Sequence, residues 1–149
     1  PTHKDSPKIG GDYPLQITGG HARWSIHSAW RDSRLMLRQQ RGEPLIHMNT
    51  DDAKQRGIKD GDQVRVFNDL DEFQIMAKVS PGIKPNQTII YHAWENFQFK
   101  NGRGFQNLMP APLNPVELAG GQFHLRPTNI MAAPSHFDRD TRVEVEPVS

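Results

Sequence analysis

The 149-residue sequence contains no cysteine. The chain therefore has no disulfide, no thiolate metal ligand and no cysteine nucleophile of its own. It also lacks an apolar run of roughly 20 residues, the length needed to cross a bilayer, and it shows no signal peptide. A mean hydropathy of −0.72 and a hydrophobic share of 35% describe a polar chain. Its length is nevertheless sufficient for one domain with a buried core.

Strong charge of one sign is missing as well, because the formal net charge is only +1. A nucleic-acid-binding protein normally carries a basic face, so we expect no nucleic-acid partner and no membrane insertion. The phosphate-binding patterns GxGxxG and GxxxxGK[ST] do not occur, and no Ser-His-Asp order or paired carboxylates stand out. The sequence begins at Pro1 instead of Met, so we expect a processed product or a part of something larger.

Turn-forming residues are abundant, with twelve glycines and twelve prolines, which indicates many turns and few long helices. Alternating apolar residues predict short strands, and these lie at residues 13–18, 44–49, 63–68, 73–79, 88–94, 124–133 and 141–148. We interpret residues 1–12 as a linker or arm and residues 13–149 as one domain. The short strands and the abundant turns together predict a mostly β domain that forms a closed or nearly closed barrel.

A short helix is predicted between two of these strands. Thr50 suits the N-cap position, and the two aspartates that follow it suit the positive end of a helix. Gly57 suits the left-handed position that ends the helix, and Gly61 lies in a turn that needs a positive φ. A helical turn is also predicted at residues 114–121, and residues 31–43 form either a short helix or an irregular loop.

A dense polar cluster follows the first predicted strand. Two glycines allow the backbone to turn sharply and to approach a ligand, and their N–H groups and nearby hydroxyls are suited to a phosphate. Arg23 and Arg31 are candidates for charge-assisted hydrogen bonds to an anion. The alternative is an ordinary polar hairpin loop with surface histidines. The candidate binding residues here are Thr18, Gly19, Gly20, His21, Arg23, Trp24, Ser25, His27 and Ser28.

Two further polar clusters lie at strand positions. His92 and its neighbours Trp94 and Asn96 stand where a strand ends, and the alternative is a strand end with partly buried aromatic residues. Residues 122–129 alternate donors and acceptors with apolar side chains, and the alternative is a solvated sheet face. Each cluster alone is compatible with a structural role as well as with ligand binding.

The chain has seven histidines, which are potential metal ligands. His21 and His27 are six positions apart. This spacing matches neither two histidines at i and i+4 on a helix nor two ligands close together in a short loop, which are the arrangements of common zinc sites. His47, His92 and His124 lie in or beside predicted strands. We therefore predict no metal site from spacing.

Three segments together resemble a known family. The stretches "TGGHARWSIHSAWRD", "AKQRGIKDGDQVRVFN" and "GGQFHLRPTNIMAAPSHFD" occur in this order along the chain. They resemble the C-terminal domain of the dimethyl sulfoxide reductase family of molybdopterin-dinucleotide oxidoreductases. The first and third are most similar to the branch with nitrate, selenate, chlorate and perchlorate reductases and dimethyl sulfide and ethylbenzene dehydrogenases.

The resemblance implies a six-stranded double-psi β-barrel that holds one face of bis(molybdopterin guanine dinucleotide) with molybdenum. It implies that the first polar loop, Thr18 to Ser28, binds this cofactor and that its two histidines approach the pterin and the phosphate linkage. It places His92 after the central strand. The remaining positions that it implies are Asn107 as a weaker candidate, and His124, Arg126, Pro127 and Thr128 in the last cofactor-facing segment.

The resemblance also implies partners. The molybdenum ligand and the iron–sulfur cysteines of such enzymes lie in other domains, so we expect that this chain alone is not catalytic. The partners would be the rest of the catalytic subunit and an iron–sulfur electron-transfer subunit, and the expected location is the periplasm, with the cytoplasmic side of the membrane as the alternative.

Two other readings of a double-psi barrel remain. One is a protein-interaction or substrate-recognition module without a cofactor, in which the polar loops contact a polypeptide. Histidines clustered on one concave face would favour the cofactor, whereas scattered histidines would favour the module. The other is a small enzyme that resembles aspartate decarboxylase and cleaves itself at a Gly-Ser bond, but the sequence contains no Gly-Ser pair.

Overall fold

A closed barrel of six strands forms the described part of the chain. The computed structural model describes residues 8–39, 41–109 and 140–148. Around the barrel the strands follow the order β1-β5-β2-β4-β3-β6. The strands are β1 (Leu15–Gly20), β2 (Leu45–Met48), β3 (Gln63–Phe67), β4 (Glu72–Val79), β5 (Gln87–Tyr91) and β6 (Thr141–Pro147). This confirms the predicted mostly β fold with a six-stranded barrel, while the strand predicted at 124–133 lies outside the described residues.

The helices in the described residues are short. They are α1 (Arg34–Arg38), α2 (Thr50–Gln55) and two 3₁₀ helices at Asn96–Gln98 and Phe105–Leu108. Among these described helices, none combines the length and the apolar character that crossing a bilayer requires. The helical turn predicted at residues 114–121 lies outside the described residues.

The barrel interior is filled by the apolar side chains that the alternating pattern predicts. Leu15 and Ile17 of β1 are fully buried, as are Val64 and Val66 of β3 and Phe73 of β4. Burying one such side chain stabilises a fold by about 1.5–3 kcal/mol. The core therefore fixes which face of each strand points inward, and the strand ends are positioned by this packing.

Parallel pairing of β1 with β5 determines where the site lies. The register joins Gln16 to Gln87 at one end and Gly20 to Tyr91 at the other. Because the strands run in the same direction, both carboxyl ends emerge at the same end of the barrel. The loop after Gly20 and the segment after Tyr91 therefore begin side by side, although they are far apart in sequence.

Helix α2 begins one residue earlier than the sequence predicts. The N-cap is Asn49, whose side chain accepts a hydrogen bond of 2.7 Å from the N–H of Asp51. Thr50 is the exposed first residue of the helix, so its assignment as the cap was wrong. Gly57 with a φ of 69° and Gly61 with a φ of 92° adopt the left-handed conformations that the sequence predicts.

The end of the predicted arm, residues 1–12, lies against the barrel. Ile9 forms a parallel bridge with Thr141 of β6. Gly10 has a φ of 89°, and a Cβ added there would lie 2.2 Å from the Asn68 side chain, so only glycine fits. The first seven residues lie outside the described part of the chain.

Replacing the two candidate caps separately tests the observed helix start. Asn49 also donates 2.6 Å to the carbonyl of Ile83, so Asn49→Ala removes a cap and a buried hydrogen bond. We expect a loss of about 1–3 kcal/mol in the free energy of unfolding, measured by urea denaturation. The control Thr50→Ala is expected to change it by less than about 0.5 kcal/mol. A larger loss for Thr50→Ala than for Asn49→Ala would contradict the assignment.

Candidate functional site

An open cavity of about 370 Å³ lies at the end of the barrel where β1 and β5 finish. Gly19 and Gly20 form one part of its wall, and His21 and His92 extend from the two strand ends. Asn96 and aromatic side chains contribute the remaining polar and apolar surface. The cavity thus combines a flat backbone edge with polar and aromatic groups, as ligand pockets do.

Three histidines meet beside this cavity. The ring centroids of His21 and His92 are 4.4 Å apart, and those of His27 and His92 are 5.3 Å apart. The Nδ1 atom of His27 lies 3.2 Å from the Nε2 atom of His92. We call His21, His27 and His92 the histidine cluster. His27 and His92 are 65 positions apart in sequence, so the barrel topology alone brings them together.

The imidazole of His92 is held by the backbone of β1. The backbone N–H of His92 donates to the carbonyl of Gly20 at 3.0 Å, and the ring Nδ1 of His92 lies 2.7 Å from the same oxygen. Because a carbonyl oxygen only accepts, Nδ1 carries the proton of this contact, and in the neutral imidazole Nε2 then presents its lone pair. The neighbouring Nδ1 of His27 is then the donor in the contact between the two rings.

The backbone is strained at both sides of the cluster. His27 has a φ of 50° and Ala93, directly after His92, has a φ of 73°. Non-glycine residues rarely adopt such values, and they persist where the surrounding structure imposes them, often at functional sites. The strain at these two positions therefore accompanies the convergence of the histidines.

The two glycines do not form the sharp turn that the sequence suggests. Gly19 and Gly20 are the last residues of β1, paired with Ile90 and Tyr91, and neither has a positive φ. The prediction of a turn was wrong, because both residues continue the parallel ladder. A Cβ at Gly20 would lie 3.2 Å from the ring of Tyr91, so the missing side chain permits close packing at the cavity edge.

A family model described as "Molydopterin dinucleotide binding domain" matches residues 15–122 of this chain. The match covers most of the barrel and the whole described cavity. The chain belongs to this family. The resemblance inferred from the three sequence segments is confirmed, and molybdopterin dinucleotide is the cofactor class of the domain.

Sequence relatives are catalytic subunits of several molybdoenzymes of the family. The chain is 43% identical to the respiratory nitrate reductase subunit alpha of Haloferax mediterranei, over 97% of the chain and 15% of that protein. It is 41% identical to the dimethylsulfide dehydrogenase subunit alpha of Rhodovulum sulfidophilum, over 91% of the chain and 15% of that protein. The dinucleotide-binding domain thus spans about 15% of the length of these relatives.

A solved structure supports the fold. Acetylene hydratase from Pelobacter acetylenicus is similar with a TM-score of 0.59 at 12% identity, over 95% of this chain and 19% of that chain. At this identity the similarity establishes the shared fold of the domain and nothing about its substrate.

Arg31 of the dinucleotide-binding domain stabilises the site from inside. Its guanidinium lies 4.1 Å from the ring centroid of Trp94 and donates 2.8 Å to the carbonyl of His92. The residue is only 4% exposed, and this burial lowers the pKa of its guanidinium. The sequence-based assignment of Arg31 as an anion ligand is therefore not favoured, because the side chain supports the His92 segment.

Arg23 and Trp24 lie at a second cavity of about 200 Å³. The guanidinium of Arg23 is 4.8 Å from the ring of Trp24. Tyr91 and Trp94 border both this cavity and the first. The two cavities are therefore neighbours, but Arg23 does not line the one that the histidine cluster borders.

His47 at the second cavity is a buried titratable group. Desolvation by burial lowers the pKa of its imidazole, and the charges of Lys78 and Arg41 lower it further. Its Nε2 atom is buried without a hydrogen-bond partner in the described part of the chain. The folded protein therefore favours the neutral imidazole.

The three hydroxyls of the first polar loop have different surroundings. Thr18 contacts the carbonyl of Thr88 at 3.4 Å, within the β1–β5 pair. The hydroxyl oxygen of Ser25 is buried and has no hydrogen-bond partner among the described residues. Ser28 lies at a separate surface cleft with Trp30. Of the three, only Ser25 has a buried hydroxyl oxygen without a hydrogen-bond partner among the described residues.

Asn107 faces an ion pair of the barrel instead of the cavity. Its side chain donates 2.9 Å to the carboxylate of Asp71, which also accepts from Arg103 at 2.5 Å. The hydrogen bond from Asn107 lowers the pKa of Asp71, as do the N–H of Glu72 and the charge of Arg103. The predicted positions His124, Arg126 and Thr128 lie outside the described residues.

Sequence reasoning missed the cavity residues that a 3₁₀ helix supplies. Phe105, Gln106 and Met109 line the first cavity, with the helix Phe105–Leu108 ending beside it. The surrounding sequence is rich in Asn, Gly and Gln and reads as a loop, so no periodic signal marks these positions.

Replacing Arg31 tests its role as a support of the His92 segment. Arg31→Met keeps an apolar stem against Trp94 but leaves the carbonyl of His92 without this buried donor, so we expect a loss of about 1–3 kcal/mol in the free energy of unfolding. Arg31→Lys is expected to lose less, since an ammonium group keeps a donor. Urea denaturation followed by tryptophan fluorescence provides the measurement. Equal stability of wild type and Arg31→Met would contradict the assignment.

The depressed pKa of His47 predicts a pH dependence of stability. Below the unfolded-state pKa of about 6.5, the unfolded chain binds a proton that folded His47 does not. The free energy of unfolding therefore falls as pH decreases from about 6.5 toward the folded pKa, and His47→Gln is expected to remove this part of the decline. Lys78→Gln, which removes a charge facing the ring, should make it smaller. Urea denaturation between about pH 7.5 and 5 measures all three proteins, and parallel curves for wild type and His47→Gln would contradict the prediction.

Proposed function

We propose that this domain is the C-terminal part of the catalytic subunit of a molybdenum oxidoreductase and binds bis(molybdopterin guanine dinucleotide) at the cavity beside the histidine cluster. The observation that supports this most is the convergence of a glycine edge, three imidazoles and Asn96 at one end of the barrel. In a chain of the dinucleotide-binding family, such a concentration of donors and acceptors on one concave surface is suited to the cofactor.

The chemistry of the surface fits this group. A pterin, a purine and two phosphates offer many hydrogen-bonding atoms, and each one left unpaired on burial costs about 1–3 kcal/mol. The buried hydroxyl of Ser25 lacks a partner among the described residues, and the imidazoles offer both donors and acceptors. The aromatic residues Tyr91 and Trp94 supply apolar area for ring systems.

We assign proposed roles by position. The histidine cluster would face the pterin and its phosphate linkage, and Ser25 would complete the polar contacts there. Arg23, at the neighbouring cavity, would supply positive charge to the diphosphate. From the resemblance we also propose Gly19, Gly20, Trp24, His124, Arg126 and Thr128 for cofactor binding. Thr18, Ser28 and Asn107 remain proposals from the resemblance alone, since they line neither of the two cavities.

The bound cofactor supplies two-electron redox chemistry at molybdenum, while the protein binds and orients it and sets its electrostatic surroundings. This chain contains no cysteine, and we propose that the molybdenum ligand comes from another domain. Because the chain spans about 15% of its relatives, we propose that it is not catalytic alone and that substrate choice lies elsewhere.

An exposed apolar rim supports the proposal of a larger catalytic subunit. Ile26 is 64% exposed, Trp30 55% and Phe97 80%, and the latter two border the same surface cleft. Exposed apolar patches of this kind mark interaction surfaces. We propose that the rest of the catalytic subunit covers this rim. An iron–sulfur electron-transfer subunit, a role in anaerobic respiration and a periplasmic location are proposed from the resemblance and from relatives described as respiratory nitrate reductases.

Cofactor release from the full-length catalytic subunit tests the proposal. His27→Ala and His92→Ala remove imidazoles of the cluster, and Arg23→Ala removes the charge at the second cavity. Each is expected to accelerate cofactor release by about tenfold or more, because a lost hydrogen bond or ion pair to a charged group costs about 1.5–3 kcal/mol. Release is measured from the fluorescence of the freed, oxidised pterin and from the molybdenum content of the retained protein.

The matched control is Arg41→Ala. Arg41 is an exposed arginine that forms a surface ion pair of 3.0 Å with Asp60, and its replacement should leave cofactor release unchanged. Wild-type release rates in His27→Ala, His92→Ala and Arg23→Ala together would contradict the proposed site and would favour the alternative of a protein-interaction module.

A further inference from the structure

The histidine cluster has the spacing of a metal site. All three side chains present a ligand nitrogen within 4.8 Å of the others. At the zinc–nitrogen distance of about 2.0–2.1 Å, two nitrogens of a tetrahedral site lie about 3.3–3.4 Å apart. The separation of 3.2 Å between Nδ1 of His27 and Nε2 of His92 is already close to this value. His21 is exposed, so a change of its side-chain rotamer is the movement by which its nitrogen would come closer.

One member of the cluster is oriented as metal-binding histidines are. The hydrogen bond from Nδ1 of His92 to the carbonyl of Gly20 is 2.7 Å long. Metal-ligating histidines almost always donate their second ring N–H to a carbonyl or carboxylate, which fixes the tautomer and the ring orientation. His92 therefore presents the lone pair of Nε2 toward His21 and His27 before any metal binds.

The donor set indicates which metal would bind. The cluster consists of imidazoles only, which suit zinc, copper and nickel, whereas magnesium and calcium prefer oxygen ligands. The cluster borders the open cavity, so a water molecule can occupy the fourth position. We propose that His21, His27 and His92 bind one divalent transition-metal ion of the zinc type in the cofactor-free chain.

Binding through these atoms requires neutral imidazoles, and one proton of the neutral cluster changes place. In the metal-free cluster Nδ1 of His27 donates to Nε2 of His92, as the Gly20 contact requires. To ligate through Nδ1, His27 loses that proton through water and gains one on Nε2, while His92 keeps its tautomer. All three imidazoles then bind as neutral ligands. The inference does not depend on the proposed function, because it concerns the chain without cofactor.

A metal titration of this chain tests the inference. After treatment with a chelator, the chain is titrated with Co²⁺ and followed by visible absorption, and Zn²⁺ is then added in a calorimeter. We expect saturation at one equivalent, displacement of Co²⁺ by Zn²⁺ and no heat with Mg²⁺. We expect each of the variants His21→Ala, His27→Ala and His92→Ala to weaken Zn²⁺ binding by at least about tenfold. Replacing a residue that only hydrogen-bonds to a metal ligand already weakens metal binding by about this factor.

The matched control is His47→Gln, a histidine outside the cluster, which should retain wild-type affinity. Circular dichroism confirms that each variant is folded, and nitrogen-detected NMR of wild-type imidazoles identifies the ligating atoms without any substitution. Unchanged affinity in the three alanine variants would overturn the inference, as would Zn²⁺-induced dimerisation or ligation by His3, His124 or His136. None of these outcomes bears on cofactor release from the full-length subunit, which tests the proposed function separately.

Discussion

The parallel pairing of β1 with β5 is the constraint on which the site depends. The ladder ends at Gly20 and Tyr91. His92 prolongs it, because its backbone N–H and its ring Nδ1–H both donate to the carbonyl of Gly20. Two loops that are distant in sequence are thereby held side by side at one end of the barrel. The buried apolar residues of the strands fix this register, because a slip by one residue would expose the core face.

The polar groups at this end form a layered arrangement. The histidine cluster lies outermost, Gly20 supports His92, and Arg31 lies beneath with its guanidinium against Trp94 and the carbonyl of His92. Positive φ values at His27 and Ala93 accompany this arrangement. The site is therefore pre-organised by backbone pairing and by one buried cation, which reduces the ordering that binding a ligand requires.

Sequence alone predicted the strands well because alternation reports burial directly. It misplaced features that depend on a distant partner. The glycine pair after β1 resembles a turn locally, but Ile90 and Tyr91 pair with it and extend the strand. Asn49 and Thr50 are both acceptable caps by residue type, and the contact of Asn49 with Ile83, which is distant in sequence, favours Asn49. Histidine spacing gave no reason to expect a cluster, because His92 is contributed by another strand. Charge patterns do not report burial, so the sequence did not indicate that Arg31 contacts Trp94 and the carbonyl of His92.

We propose that the cofactor lies against the end of the barrel at which β1 and β5 finish. A structure of the full-length catalytic subunit with bound molybdopterin dinucleotide tests it most directly. We expect cofactor atoms within hydrogen-bonding distance of His92 and Ser25, and we expect the cofactor to fill the cavity beside Gly20. A cofactor bound at the opposite end of the barrel, with that cavity open to solvent, would contradict it.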